Sequence, residues 1–139
     1  AGFSRLIGLD VYVNGSFLNA YEGDGIIIST PTGSTGYNLS AGGPIVDPMA
    51  RLMIITPVCP HSLTSKSIVL PSDAKVSIEI AKKRKTQDTE AIVSFDGGND
   101  FELAAGDVLD ICVSQRTTQL VKASDVNFYE ILRNKLGGK

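Results

Sequence analysis

Residues 24–44, DGIIISTPTGSTGYNLSAGGP, are the most informative stretch of this 139-residue chain. A continuous isoleucine run opens the stretch and predicts a strand over residues 25–30 that is buried on both faces. A turn rich in glycine and hydroxyl side chains follows, and such a turn lets the backbone approach a polar ligand and offers it donors. The helical pattern after the turn predicts a short helix capped by Ser34 or Thr35.

On both sides of this stretch, alternating and short apolar runs fill most of the chain, with Gly and Pro at the joins. Asn14-Gly15 is the preferred dipeptide of a two-residue β-hairpin turn. A helical pattern capped by Ser124 or Asp125 extends to Leu136. Strands are predicted at residues 5–13, 16–21, 25–30, 52–56, 67–70, 75–81, 91–95, 100–103, 108–113 and 118–123.

These patterns predict a mainly β fold in one domain, residues 1–139. The expected architecture is two packed antiparallel sheets, similar to a β-sandwich, because many short strands with frequent turn signals are typical of that class. A short helix follows the glycine- and threonine-rich loop, and a second helix ends the chain. The length suffices for a hydrophobic core without disulfides or metals.

Composition excludes several classes of partner. The net charge is −2, which gives no general attraction to nucleic acid or to acidic membranes, so neither is expected as a partner. The basic run at residues 82–85 is interpreted as a solvated hairpin loop. No apolar run reaches membrane-spanning length. Cys59 and Cys112 are too few for a disulfide framework, and we predict buried free thiols in a reducing cytoplasm.

The turn at residues 32–36 can hold an anion or ribose hydroxyls at the start of a helix. It is not a Walker A motif, because no lysine follows its glycines. The structural alternative is a capped helix with an unusual turn. Asp24 likewise is either a ribose ligand or a turn aspartate that bonds nearby amides. Asp96-Gly97 is either a ligand-facing turn or a plain hairpin.

Several single side chains also allow both a ligand-binding and a structural interpretation. Tyr37 can stack on a base or fill the core. Asn38 and Ser40 can bond a base edge or cap the helix. His61 is the only histidine and is more typical of a structural position, since no triad arrangement accompanies it. No cluster has metal-ligand spacing, so neither a catalytic residue nor a metal ligand is predicted in this chain.

Taken together, several motifs in this order resemble the C-terminal domain of NAD kinases. The resemblance covers essentially the whole chain and includes FYEILRNKL at residues 128–136. Its most specific part is the run through the glycine-rich turn. The motifs are DG at 24–25, STPTGSTGY at 29–37, SAGGP at 40–44, PVCPHSL at 57–63, IVLP at 68–71 and FDG at 95–97.

The resemblance implies transfer of a phosphoryl group from ATP or polyphosphate to the 2′-hydroxyl of the NAD adenosine ribose, which makes NADP. It also implies Mg²⁺ or another divalent cation, held mainly outside this chain. The family's N-terminal α/β domain is absent from the chain, and so is its Gly-Gly-Asp-Gly motif, which supplies the general base. An Asn-Glu pair that binds adenine is expected just before Ala1. The 139-residue chain alone is therefore expected to be inactive.

By the same resemblance, Asp24 contacts the nicotinamide end of NAD, often across a subunit interface. The residues implied to bind NAD are Asp24, Thr35, Gly36, Tyr37, Ser40, Asp96 and Gly97. Gly36 departs from the family's usual alanine, and Lys66-Ser67 stands where Arg-Pro is common. His61 and Lys66 lie in a segment that looks structural or interfacial in this family.

A homodimer or homotetramer is expected, both from the family and because a small β domain has edge strands to cover. The other partners implied are NAD or NADP and the protein's own N-terminal domain. Two further functions remain open at this point. One is a non-catalytic β module that binds a nucleotide or serves assembly. The other is a lipid kinase of the related diacylglycerol-kinase-like group, which the adenosine-recognising loop disfavours.

Overall fold

A computed structural model describes residues 7–62, 65–82, 91–116 and 127–137 of the chain. Every strand predicted within these ranges is present, with ends shifted by one or two residues, whereas the strand predicted at residues 118–123 lies outside them. The strands are β1 (Ile7–Val13), β2 (Ser16–Gly23), β3 (Gly25–Ser29), β4 (Leu52–Val58), β5 (Ile68–Pro71), β6 (Val76–Ile80), β7 (Ala91–Phe95), β8 (Gly98–Leu103) and β9 (Val108–Ile111). The helices are a 3₁₀ turn (Thr32–Thr35), α1 (Tyr37–Ser40) and α2 (Phe128–Lys135).

The described strands form three antiparallel sheets. One sheet has the order β2-β1-β6-β9, the second has the order β3-β4-β5, and the third is the hairpin β7-β8. The first two sheets pack against each other because alternate residues on their facing sides are apolar. The core comprises Leu9, Val11, Tyr21, Met53, Ile55, Val76, Ile78 and Ile80. The predicted mainly β fold with packed antiparallel sheets is thereby confirmed.

The isoleucine run predicted that β3 would be buried on both faces, and this prediction was wrong. Among the described strands, β3 lies at the edge of its sheet, and all its residues are half-buried. The central strand β4 takes that place, since residues Met53 to Pro57 are all buried. Position in the sheet decides the difference, because only a central strand is covered by neighbours on both edges as well as on its faces.

Pro57 was expected to end β4, yet it lies inside the strand opposite Ile26. The pairing of β4 with β5 stops at Ile55 and Ile68. The backbone carbonyl of Val58 accepts a hydrogen bond from Asp24, so the neighbouring Pro57 faces the β5 side, where pairing has already ended. A proline without an N–H group is tolerated there because no ladder bond is lost.

The β7–β8 hairpin forms a third sheet among the described strands, in addition to the two sheets that the sequence predicted. Ala91 and Leu103 at its base pack against the core. Towards its tip, Phe95 and Phe101 are 55% and 59% exposed and meet edge to face at 5.9 Å. Among the described strands, β7 pairs with β8, and β6 pairs with β1 and β9. The basic run predicted as a hairpin loop lies, from residue 83 on, outside the described residues.

Two local predictions concern turns and thiols. The Asn14-Gly15 hairpin turn is confirmed, and both residues have the positive φ angles of such a turn, 51° and 82°. The prediction of buried cysteines was wrong, because Cys59 and Cys112 are free and exposed. Cys59 follows β4 with φ 44°, where the chain turns out of the sheet.

Both helix starts differ from prediction. Neither Ser34 nor Thr35 caps a helix, because they lie inside the 3₁₀ turn, and Pro31 stands at its N-cap without a side-chain bond. The side chain of Asn127 caps α2 by accepting from the Glu130 backbone amide at 2.9 Å, whereas the predicted caps at 124 and 125 lie outside the described residues. None of the helices in the described ranges is long and apolar enough to cross a membrane.

Candidate functional site

The hydroxyl-rich segment, residues 30–46, is the first part of the candidate site. It contains the 3₁₀ turn and α1, which follow each other directly after β3. The turn forms because the Ser34 amide donates to the Pro31 carbonyl at 3.2 Å and the Gly36 amide to the Gly33 carbonyl at 3.1 Å. These short bonds wind the segment tightly, so that its side chains divide into an inner and an outer face.

Ser34 and Asn38 form the inner face and are 0% and 1% exposed. Residues four apart lie on the same side of a helical segment. The Ser34 hydroxyl donates to the Pro31 carbonyl at 2.7 Å and accepts from the Val46 amide at 3.1 Å. One buried side chain therefore joins the two ends of the hydroxyl-rich segment.

The side-chain amide of Asn38 is the centre of a buried hydrogen-bond network. Its Nδ2 donates to the Ser34 carbonyl at 3.3 Å and to the Pro44 carbonyl at 3.0 Å. Its Oδ1 accepts from Thr56 Oγ1 at 2.5 Å, which ties the segment to the central strand β4. Thr56 Oγ1 also lies 3.0 Å from Ser67 Oγ. The buried amide thus has its donors and its acceptor satisfied, as a buried polar group requires.

Gly43 lies against this network. A Cβ atom at Gly43 would overlap the Asn38 amide, so the position has no room for a larger residue. The Gly43 amide donates to the Asn38 backbone carbonyl at 2.8 Å, which folds the chain back over α1. Glycine is required here by close approach rather than by backbone angle.

The outer face carries Thr35, Gly36 and Ser40, three of the residues predicted to bind NAD. Thr35 is half-buried, while Gly36 and Ser40 are exposed. The Thr35 hydroxyl donates to the Thr32 carbonyl at 3.4 Å. Tyr37 opens α1, and only its backbone is described. A methyl group at Gly36 would meet only the Gly33 carbonyl at 3.5 Å, an ordinary contact, so space alone does not demand glycine there.

Asp24 lies at the opposite end of β3 from the hydroxyl-rich segment. It is exposed in the bend between β2 and β3, and its backbone amide donates to the Val58 carbonyl at 3.1 Å. A strand rises about 3.3 Å per residue, so β3 separates Asp24 from Thr30 by roughly 20 Å. Within one copy of the chain, the two parts of the predicted site are therefore far apart.

Asp96 and Gly97 form the tip of the β7–β8 hairpin. Both are exposed and have positive φ angles of 49° and 77°, as in a two-residue hairpin turn. The local geometry matches the plain hairpin that the sequence left open as the alternative. The turn leaves Asp96 exposed, between two described strands that pair only with each other.

A tyrosine–carboxylate contact anchors the chain that follows the hydroxyl-rich segment. The Tyr129 hydroxyl of α2 donates to Asp47 Oδ2, and the Met49 amide donates to Asp47 Oδ1 at 2.9 Å. The Tyr129 bond, with the Met49 amide, lowers the pKa of Asp47. The same bond and the nearby carboxylate charge raise the pKa of Tyr129. Both effects favour the ionised carboxylate beside the neutral phenol.

His61 and Lys66 line a separate cavity of about 570 Å³, which lies between β2 and residues 61–62 and 65–68. The His61 backbone amide donates to the Glu22 carbonyl at 2.6 Å. Tyr21 at the cavity wall has a raised pKa, chiefly because it is buried. None of the residues predicted to bind NAD lines this cavity.

Metal binding has no donor set in the described part of the chain. There, no group of three or more His, Cys, Asp and Glu side chains is placed to hold a metal ion. The described residues therefore do not form a metal site made of protein side chains alone. The outer face of the hydroxyl-rich segment can instead bind and orient a polar ligand through hydroxyls and backbone groups.

Sequence reasoning missed the partners of Asn38. Ser34 was interpreted as a helix cap, and no hydrogen bond to Thr56 or Ser67 was predicted. The four-residue spacing of Ser34 and Asn38 is a signal that these two polar side chains share a face. The contact of Asn38 with Thr56 spans 18 residues, and no local pattern contains it.

Known proteins share both the sequence and the fold of this chain. The NAD kinase of Lachnoclostridium phytofermentans is 51% identical over all of this chain and 49% of its own length, and that of Agathobacter rectalis is 51% identical over 98% and 48%. The chain spans about half the length of these curated relatives. A yeast NADH kinase complexed with NADH superposes with a TM-score of 0.68 at 36% identity, over 77% of this chain and 30% of that protein.

A second solved structure is an NAD kinase from Archaeoglobus fulgidus in complex with ATP. It superposes with a TM-score of 0.70 at 29% identity, over 81% of this chain and 41% of that protein. The family described as the ATP-NAD kinase C-terminal domain matches residues 2–123. With a match over most of its length, the chain belongs to the ATP-NAD kinase C-terminal domain family.

Proposed function

We propose that this chain is the NAD-binding domain of an NAD kinase, which phosphorylates the 2′-hydroxyl of the NAD adenosine ribose to make NADP. The observation that carries the proposal is the family match over residues 2–123, which includes every residue predicted to bind NAD. The yeast relative complexed with NADH supports a dinucleotide as the ligand. The protein's N-terminal domain completes the active site. The curated relatives support a further domain, because this chain covers only about half of their length.

In this proposal the outer face of the hydroxyl-rich segment holds the dinucleotide. Thr35 and Ser40 offer hydroxyls, Gly36 leaves the backbone accessible, and Tyr37 packs near a ring. Asp96 and Gly97 lie near the ribose that is phosphorylated. Phosphoryl transfer depends mainly on positioning and charge stabilisation, so these residues orient the acceptor hydroxyl.

Asp24 acts at the nicotinamide end from a second copy of the chain. Its distance of roughly 20 Å from the hydroxyl-rich segment, along β3, supports this arrangement. A homodimer or homotetramer would bring the Asp24 of one subunit to the NAD site of another. The two exposed free thiols favour a reducing cytoplasm as the compartment.

The phosphoryl donor is ATP or polyphosphate, and the Archaeoglobus fulgidus relative in complex with ATP favours ATP. Mg²⁺ or another divalent cation would be held mainly outside this chain, as the resemblance implies. The contribution of this chain is to bind the acceptor and exclude unproductive orientations.

The test compares the complete gene product, with whatever residues the gene encodes around this chain, with the 139-residue chain alone. NADP formation from NAD is measured with ATP and with polyphosphate. We expect NADP from the complete product and none from the 139-residue chain. Activity of the short chain would contradict its predicted inactivity. A folded complete product that phosphorylates diacylglycerol but not NAD would replace the proposal with the lipid kinase function.

A matched pair of serine variants tests the site. Ser40→Ala should raise the KM for NAD and leave the KM for ATP unchanged. Ser16→Ala, which changes an exposed serine at the start of β2, is the control and should behave as wild type. Light scattering of the same samples tests the oligomer, and a monomer at micromolar concentration would contradict it.

A further inference from the structure

Asn38 combines properties that a simple helix cap does not need. Its side chain is 1% exposed, lies on the inner face, and bonds to three different parts of the structure. Two of these bonds close the segment between the carbonyls of Ser34 and Pro44. The third holds the closed segment against β4. Thr35 and Ser40 lie between these anchor points on the outer face.

We infer that Asn38 is a positioning residue for the dinucleotide: its amide sets the backbone shape of residues 34–44 and thereby the placement of Thr35 and Ser40. The identity of the ligand in this inference rests on the proposed function, whereas the hydrogen bonds of Asn38 do not depend on that function. Asn38 itself faces away from the outer face, so its effect on the ligand is transmitted through the backbone.

The identity of the side chain follows from its partners. The amide nitrogen faces two carbonyl oxygens, and the amide oxygen faces a hydroxyl donor. A carboxylate of the same shape would place an acceptor against the carbonyls, and an apolar side chain would leave both carbonyls and Thr56 without this partner. Only a side chain with donors on one arm and an acceptor on the other fits all three neighbours.

Thr56 gives the cleanest experiment, because variants of Asn38 risk unfolding the segment. In the complete gene product, Thr56→Val removes the hydroxyl that donates to Asn38 Oδ1 and keeps the volume, whereas Thr56→Ser keeps the hydroxyl. We expect Thr56→Val to raise the KM for NAD by about threefold to tenfold, the range that corresponds to one net hydrogen bond. The KM for ATP and kcat should stay within about twofold, and Thr56→Ser should behave as wild type.

Hydrogen exchange of the backbone amides provides a second readout that needs no activity. Thr56→Val should speed exchange in residues 34–44 and leave the distant β7–β8 hairpin unchanged. A lower melting temperature with an unchanged KM for NAD and unchanged exchange would overturn the inference and leave Thr56 a purely structural residue. A folded wild-type product that makes no NADP would instead overturn the proposed function, and the exchange data would still decide whether Asn38 holds the segment.

Discussion

The hydroxyl-rich segment and the β7–β8 hairpin are two glycine-containing turns with the same predicted role and opposite construction. In the first, the side chains of Ser34 and Asn38 point inward and are buried, and Asn38 meets the buried Thr56 of β4. In the second, Phe95 and Phe101 are exposed, and an aspartate stands at the tip. The first turn depends on tertiary hydrogen bonds for its shape, whereas the second depends on the φ angles of two residues.

The difference shows that residue polarity does not tell which face of a turn meets a ligand. Asn38 was considered as a base contact or a cap, and the structure makes it an internal support. Of the predicted NAD-binding residues, Thr35, Gly36 and Ser40 lie on the outer face of the segment. Variants of the Asn38 network should therefore affect the hydroxyl-rich segment, and variants that change the turn angles should affect the β7–β8 hairpin.

The largest effect is expected for Asn38→Asp, which sets a carboxylate oxygen against the Ser34 and Pro44 carbonyls. A buried, unpaired charge should lower the free energy of unfolding by about 3 kcal/mol. Urea unfolding of the complete gene product measures it. The loss should shrink as the pH is lowered, because a protonated carboxyl can donate to one carbonyl. The control Asn19→Asp makes the same change on an exposed strand position, and an equal loss there would contradict the prediction.

Gly43→Ala should be the next largest, since its methyl group would overlap the Asn38 amide. Overpacking of this kind costs about 2 kcal/mol. The double variant with Asn38→Ala should lose less than the sum of the two single losses, because removing the amide makes room for the methyl group. Gly25→Ala is the matched control, as a Cβ atom there meets nothing within 4 Å. Strict additivity in the double variant would rule out the overlap.

The hairpin should respond to backbone angle instead of contacts. Gly97→Ala places a side chain at φ 77° and should cost about 1 kcal/mol, while Gly98→Ala in the same turn region should cost almost nothing. Asp96→Asn keeps a favourable Asn-Gly turn but removes the charge. Under the proposed function, it should leave the melting temperature unchanged and raise the KM for NAD about tenfold. An unchanged KM would make Asp96 a turn residue only.

The smallest effect concerns Tyr129 and Asp47, which join α2 to the chain after the hydroxyl-rich segment. The lowered pKa of Asp47 stabilises the fold above the ordinary value of 3.8, and this contribution is lost as the pH falls through the lowered pKa. The raised pKa of Tyr129 stabilises the fold below the ordinary value of 10.0, and this contribution is lost as the pH rises through the raised pKa. Tyr129→Phe should therefore flatten the acid and alkaline ends of a melting-temperature profile. An unchanged profile would show that the contact contributes nothing in solution.

Much of the fold could be predicted because its signals are local. Alternation of apolar residues located the strands, and Asn14-Gly15 located a hairpin through its φ angles. Predictions about burial failed more often. The isoleucines of β3 and the two cysteines were expected inside, but an edge position leaves β3 half-covered and both thiols are exposed.

The sequence by itself determined the family, the β class and the turn geometry, since these depend on motif order, period-two alternation and residues that accept positive φ. Tertiary structure alone decided which polar side chains are supports and which remain open to a ligand. The reason is that Asn38 meets Thr56 only after β4 takes the centre of its sheet, 18 residues further along the chain. It also decided that Asp24 lies the length of one strand away from the hydroxyl-rich segment, with which it was predicted to bind NAD.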